Sequence, residues 1–130
     1  MRVQDAMSTA ILTIGPGHTL AEAARHMAAR RVGAAVVLDP DGEGVGILTE
    51  RDILYAVGAS KDLDRERAGE HLTSDVVFAS PEWTLDQAAE AMVRGGFRHL
   101  IVLDAGEVAG IVSVRDIVRV WSGERAALAS

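Results

Sequence analysis

The sequence predicts an α/β (α+β) protein built from two β-α-β-β-α repeats packed about a pseudo-twofold axis, and three observations predict it. The chain is written twice, each copy opens a helix with the same capping signal, and each helix is apolar along one face only. Residue n compared with n+65 from Arg2 to Asp39 is identical at ten of 38 positions, among them Pro16/Pro81, Thr19/Thr84, Leu20/Leu85, Met27/Met92 and Asp39/Asp104. One residue is then lost in a turn, and at an offset of 64 Gly42–Val57 matches Gly106–Trp121 at seven of 16. A fixed period sustained over so much of a chain is a tandem repeat. It divides the chain into a first repeat at 2–57, a charged linker at 58–66, a second repeat at 67–121, and a helical extension or tail at 122–130.

The elements follow in order within each repeat. Ile11–Ile14 and Val76–Ala79 are short extended segments, closed by Gly15-Pro16 and Ser80-Pro81 because proline disfavours helix in the residue before it. Thr19-Leu-Ala-Glu22 and Thr84-Leu-Asp-Gln87 are capping boxes that satisfy orphan amides at a helix start. Leu20, Ala23, Ala24 and Met27, and likewise Leu85, Ala88, Ala89 and Met92, then recur at helical spacing. Gly33 and Gly95-Gly96 are the expected stops. Two apolar runs, Ala34–Leu38 with Val45–Leu48 and Leu100–Leu103 with Val108–Val112, are joined by acidic, glycine-bearing turns and read as hairpins. Their second strands run directly into helices at Arg51–Val57 and Val114–Trp121. A unit of this size is marginal alone, so two units sharing a core are expected.

Composition excludes several classes. The 130 residues are 48% hydrophobic and 25% charged, with a net charge of −6 and no basic cluster beyond Arg30-Arg31, which disfavours a phosphate-tracking nucleic-acid binder. No apolar run approaches the roughly 20 residues of a membrane span. The acid at Asp5 precedes any apolar stretch, which argues against a secretory signal. Without cysteine there is no disulfide, thiolate nucleophile or zinc-thiolate site, and a cytoplasmic location is expected. His18, His26, His71 and His99 are not spaced as a metal pair, so no metal site is expected. His18 and Trp83 hold equivalent places before the Thr caps and suit loop packing; Met27 and Met92 suit the core. Phe97 and Trp121 suit either a core or an interface.

Gly46-Ile-Leu-Thr-Glu-Arg-Asp52-Ile and Gly110-Ile-Val-Ser-Val-Arg-Asp116-Ile recur in order with Met7-Ser-Thr, the Thr-Leu caps and the strand ends Val-Val-Leu-Asp39 and Ile-Val-Leu-Asp104. On these motifs the chain resembles a tandem pair of CBS domains, the regulatory domain named after cystathionine β-synthase, over roughly Arg2 to Trp121. The resemblance implies a Bateman module, here standing alone, with clefts between the two repeats that take adenosine-containing ligands. It implies that Asp52 and Asp116 bond the ribose hydroxyls and that Thr49 and Ser113 contact ribose or phosphate. It also implies that Arg98 and His99 meet phosphate, and that backbone at Ile11 and Val76 meets the adenine edge. Physically, a helix start offers free amides and a positive dipole end to an anion, and a carboxylate accepts from both hydroxyls of a diol. The same Thr/Ser-x-x-Asp spacing is equally a helix cap with no ligand, Arg98 is equally a solvated strand end, and Ile11 and Val76 are equally buried strand.

Gly33 and Ala34 stand where the second repeat has Arg98 and His99, so the two sites are expected to be unequal, with that of Asp116 the stronger. The resemblance implies a non-enzymatic sensor that needs no cofactor, binds AMP, ADP or ATP ahead of S-adenosylmethionine or NAD, forms a homodimer and signals to an unidentified protein target. The alternative is a ligand-free dimerisation or protein-interaction module. An enzyme ranks last, since no Cys-His or Ser-His constellation and no phosphate-cradling glycine loop is present.

Overall fold

A computed structural model describes residues 1–41 and 44–129, with side chains described as far as Gly123. Gly42 and Glu43 of the first expected turn lie outside the described residues. The elements are α1 (Val3–Ala6), β1 (Thr13–Ile14), α2 (Leu20–Arg30), β2 (Ala34–Leu38), β3 (Val45–Thr49), α3 (Glu50–Gly58), α4 (Ala68–His71), β4 (Phe78–Ala79), α5 (Leu85–Gly95), β5 (His99–Asp104), β6 (Glu107–Ser113) and α6 (Val114–Ala129). They build two three-stranded sheets, ordered β1-β2-β3 and β4-β5-β6. In each, the short first strand runs parallel to the second and the hairpin is antiparallel. The β-α-β-β-α order read from the repeat is present in both copies, each preceded by a one-turn helix, α1 or α4, too short to leave a period in the sequence.

Those one-turn helices decide how the chain is partitioned. One compact unit comprises Ile11–Val76; the other combines Met1–Ala10 with the chain from Val77 onward. Each entry helix therefore packs with the repeat it does not precede in the repeat count. In the second unit, Val3 N–H donates to the Trp83 carbonyl at 2.8 Å and Gln4 N–H to that of Pro81 at 3.0 Å. Ser8 and Ile111 then exchange both backbone hydrogen bonds, at 2.8 and 3.0 Å. In the first unit the same pattern recurs 65 residues later: Ala68 N–H donates to His18, Gly69 N–H to Pro16, and Thr73 exchanges both bonds with Ile47.

Each unit has its own core. In the first, Leu20, Ala23 and Met27 of α2 meet Ala35 and Val37 of β2, Leu48 of β3, Ala56 of α3 and Ala68 of α4. In the second, Leu85, Ala88 and Met92 of α5 meet Leu100, Val102, Val112 and Ile117, with Val3 and Ala6 of α1 completing the cluster. Met27 and Met92 are core residues, as their place in the helical stripe predicts. His18 closes its own loop, its Nδ1 accepting from Gly15 N–H at 3.1 Å.

Both expected capping boxes form, on Thr19 with Glu22 and on Thr84 with Gln87. The α2 stop differs from expectation: Arg31, not Gly33, takes the left-handed conformation at φ 56°, whereas α5 ends on Gly96 at φ 70°. Thr19 Oγ1 and backbone N–H both donate to Glu22 Oε1, at 3.1 and 3.2 Å, and hold its carboxyl below the usual 4.5. A depressed carboxylate pKa contributes stability that is present above the unfolded value and is lost as pH falls through the folded one. Glu22→Gln, which keeps the acceptor but not the charge, is expected to lower Tm slightly at neutral pH. Thermal melts taken across the acid range should show that difference closing as pH falls below 4.5 and through the lowered Glu22 value.

Candidate functional site

The corner where a hairpin strand turns directly into a helix is built twice. In the first unit, Thr49 ends β3 with extended backbone and caps α3: its Oγ1 accepts from Asp52 N–H at 3.3 Å, while its own N–H and hydroxyl donate to Asp52 Oδ2 at 2.9 and 3.0 Å. In the second unit, Ser113 and Asp116 repeat this at 3.1, 2.8 and 2.9 Å. The capping function of Thr/Ser-x-x-Asp is thus realised in both repeats. Each cap also fixes a half-buried carboxylate at the positive dipole end of a helix.

The two corners differ in the second carboxylate oxygen. Asp116 Oδ1 is 3.2 Å from Arg119 Nη2, and the same guanidinium nitrogen donates to the Ala6 carbonyl at 3.4 Å, tying the corner to the end of α1. At Asp52, among the described residues, only Oδ2 is hydrogen-bonded, and the position equivalent to Arg119 is Tyr55, which is exposed. The sequence reading did not single out Arg119. Its signal was the i,i+3 spacing from Asp116, which places acid and base side by side on one helix face.

The remaining expected residues fall as follows. In the hairpin registers His99 lies opposite Ser113, and Ala34 opposite Thr49, so β5 brings His99 beside the second corner. Arg98 is exposed and its carbonyl accepts from Val114 N–H at 3.0 Å; Gly33 is its counterpart, accepting from Glu50 N–H at 2.9 Å. A Cβ on Gly33 would stand 3.1 Å from Glu50 Oε1, so the first unit sets a carboxylate against the position that carries Arg98 in the second. Ile11 is half-buried, and its carbonyl lies 3.4 Å from Arg30 Nη1. Val76 is half-buried at the end of the first unit. An open groove of about 540 Å³ beside α5, bordered by Val77, Trp83, Glu90 and Arg94, contains none of the expected site residues. Among the described residues no group of three or more His, Cys, Asp or Glu could hold a metal ion, and no helix is long and apolar enough to cross a membrane.

The family model for the CBS domain matches residues 3–59 and again 68–123. This chain belongs to the CBS-domain family, as a tandem pair. It is 36% identical over 119 residues to a 17.7 kDa protein of Acidianus ambivalens, covering 91% of this chain and 71% of that one. It spans only 43% of the length of a second relative, the Methanocaldococcus jannaschii protein MJ1225, at 28% identity. Among solved structures, the CBS domain pair of protein MJ0100 in complex with 5'-methylthioadenosine and S-adenosyl-L-methionine is 27% identical with a TM-score of 0.85, covering 95% of this chain and 98% of that one. The CBS domain protein PAE2072 from Pyrobaculum aerophilum, complexed with AMP, is 29% identical with a TM-score of 0.81, covering 95% and 99%. The family explains the recurrence of the Gly-x-x-Thr/Ser-x-x-Asp corner. The geometry explains its glycine: a Cβ at Gly110 would stand 2.6 Å from the Ser8 carbonyl, and one at Gly46 2.7 Å from Leu72 Cδ1 and 3.0 Å from the Thr73 carbonyl. In each unit that glycine makes room for the extended segment just after the entry helix, Met7-Ser8 or Leu72-Thr73.

Proposed function

We propose that this CBS pair is a non-enzymatic regulatory sensor that binds an adenine nucleotide or another adenosyl ligand at its Thr/Ser–Asp corners and passes the occupancy to a protein partner. The observation that carries it is the corner itself: a cap-held, half-buried carboxylate with a helix N-terminus beside it, built in a family with solved members that hold AMP or S-adenosyl-L-methionine. In this reading Asp52 and Asp116 are the candidate ribose acceptors, and Thr49 and Ser113 orient them while contacting ribose or phosphate. Arg98 and His99 face phosphate, the guanidinium of Arg98 supplying positive charge, and the backbone at Ile11 and Val76 reads the base. AMP, ADP and ATP stand ahead of S-adenosylmethionine and NAD because a guanidinium suits phosphate oxygens. No cofactor takes part and the bound molecule is returned intact.

Titration calorimetry with AMP, ATP and S-adenosylmethionine tests this. Saturable binding of at least one, with the ligand recovered unchanged, is the expected result; heats indistinguishable from dilution with all three would overturn it. A second reading, a ligand-free dimerisation or interaction module, has its own support. Val114, Val118 and Trp121 of α6 recur at helical spacing and are exposed, as are Leu54 and Val57 at equivalent places on α3. A repeated apolar stripe on the last helix of each repeat suits a homodimer, which belongs to both readings.

A further inference from the structure

We infer that Arg119 withholds Asp116 from a ribose, and that the Thr49–Asp52 corner is the ligand-accepting one; this rests on the adenosyl-binding reading above. A ribose diol must find acceptor oxygens, and a carboxylate offers two. At Asp116 both are committed. Oδ2 already takes the Ser113 N–H and hydroxyl, and Oδ1 faces Arg119 Nη2 at 3.2 Å. Arg119 is itself placed by a third group, the Ala6 carbonyl at 3.4 Å, so the clasp joins α6, the corner and α1. The acid's side chain is 14% exposed, so the pair is shielded from solvent on the Asp116 side although Arg119 is 64% exposed. A ligand entering here must displace a charge-assisted contact before its hydroxyls gain one. At Asp52 nothing among the described residues engages Oδ1, because Tyr55 stands where Arg119 would be. The two repeats carry the same motif, yet only one presents an open acceptor. The clasp reverses the ranking that the basic residues alone give, in which Asp116 is favoured by Arg98 and His99. Arg119 is here a specificity-determining residue that acts through Asp116.

The test is the number of AMP, ATP or S-adenosylmethionine molecules bound per chain, by titration calorimetry, in the wild type, Asp52→Asn, Arg119→Gln and Arg119→Gln/Asp116→Asn. Asn keeps a capping acceptor, and Arg119 is exposed enough that its replacement spares the fold; thermal melts confirm both. The wild type is expected to bind one molecule, and Asp52→Asn to weaken it at least about tenfold, the loss of a hydrogen bond to a charged group. Arg119→Gln should admit a second molecule, and the added Asp116→Asn should remove that second one. Two molecules on the wild type, or one still on Arg119→Gln, would overturn the clasp alone and leave the sensor reading standing. Silence from every variant with all three probes overturns the sensor reading and the clasp together.

Discussion

A chain shortened to begin at Thr9 is expected to lose the stability of the unit formed by residues from Val77 onward, far more than that of Ile11–Val76. The removed segment belongs to the former: Val3 is 0% and Ala6 2% exposed, and both sit in the cluster with Leu85, Leu100, Val102 and Ile117. Taking them away leaves an apolar opening that costs about 2–5 kcal/mol, the range of large-to-small core replacements. It also strips Trp83, Pro81 and Ile111 of backbone partners. Against an ordinary domain stability of roughly 5–15 kcal/mol, that is enough to unfold or nearly unfold the unit. Amide hydrogen exchange checks it. Protection should collapse at Leu100–Val102 and at Ile111–Val112 while persisting at Ala35–Val37. Equal loss in both stretches, or none in either, would show that the entry segment is not part of that unit's core.

Gly110→Ala is the second large effect. The added Cβ would stand 2.6 Å from the Ser8 carbonyl oxygen and 3.0 Å from Met7 Sδ. A methionine tip moves aside, but a backbone carbonyl bonded to Ile111 does not. Overpacking of this kind costs about 1–3 kcal/mol, and pushing Ser8 away loses two backbone hydrogen bonds at about 1 kcal/mol each, so a loss of at least about 3 kcal/mol is expected. For a unit of this size that lowers Tm by at least roughly 12 °C. In the full chain, amide exchange should quicken at Ser8 and Ile111, whose mutual bonds the displaced carbonyl breaks. Full protection of both amides beside a full-sized loss of stability would assign the glycine to something other than this crossing. Gly46→Ala should be milder, since its nearest obstacle is the flexible end of Leu72 at 2.7 Å and the Thr73 carbonyl is further away at 3.0 Å.

Much of this molecule was legible in the sequence because repeat, caps and hairpins are local. Thr19 and Glu22 lie within one turn of each other, and so do Thr49 and Asp52, so spacing alone predicts their reciprocal bonds. The Asp39 and Asp104 turns sit between apolar runs whose pairing follows from the shortness of the connection. Gly33 misled, because a left-handed residue ends α2 two positions earlier at Arg31, where the side chain is exposed and tolerates it. The corner residues could be named, yet the state of their carboxylates could not. Whether Asp116 Oδ1 is engaged depends on Arg119, and Arg119 is held by Ala6, 113 residues away.

The sequence by itself determined that the protein is a doubled β-α-β-β-α chain of the CBS family, with a Thr/Ser–Asp cap at the same corner of each copy. Periodicity and capping are properties of neighbours along the chain, and they survive in any window that contains them. Only the tertiary structure decided that α1 belongs with the second repeat and α4 with the first, and which aspartate is clasped. Pro16 and Pro81 offer an entry helix almost the same carbonyl, and Val3 and Ala68 almost the same small apolar surface. Nothing local chooses between them; the choice is made by which docking buries more apolar surface and satisfies more backbone across long loops, a sum over residues far apart in the chain.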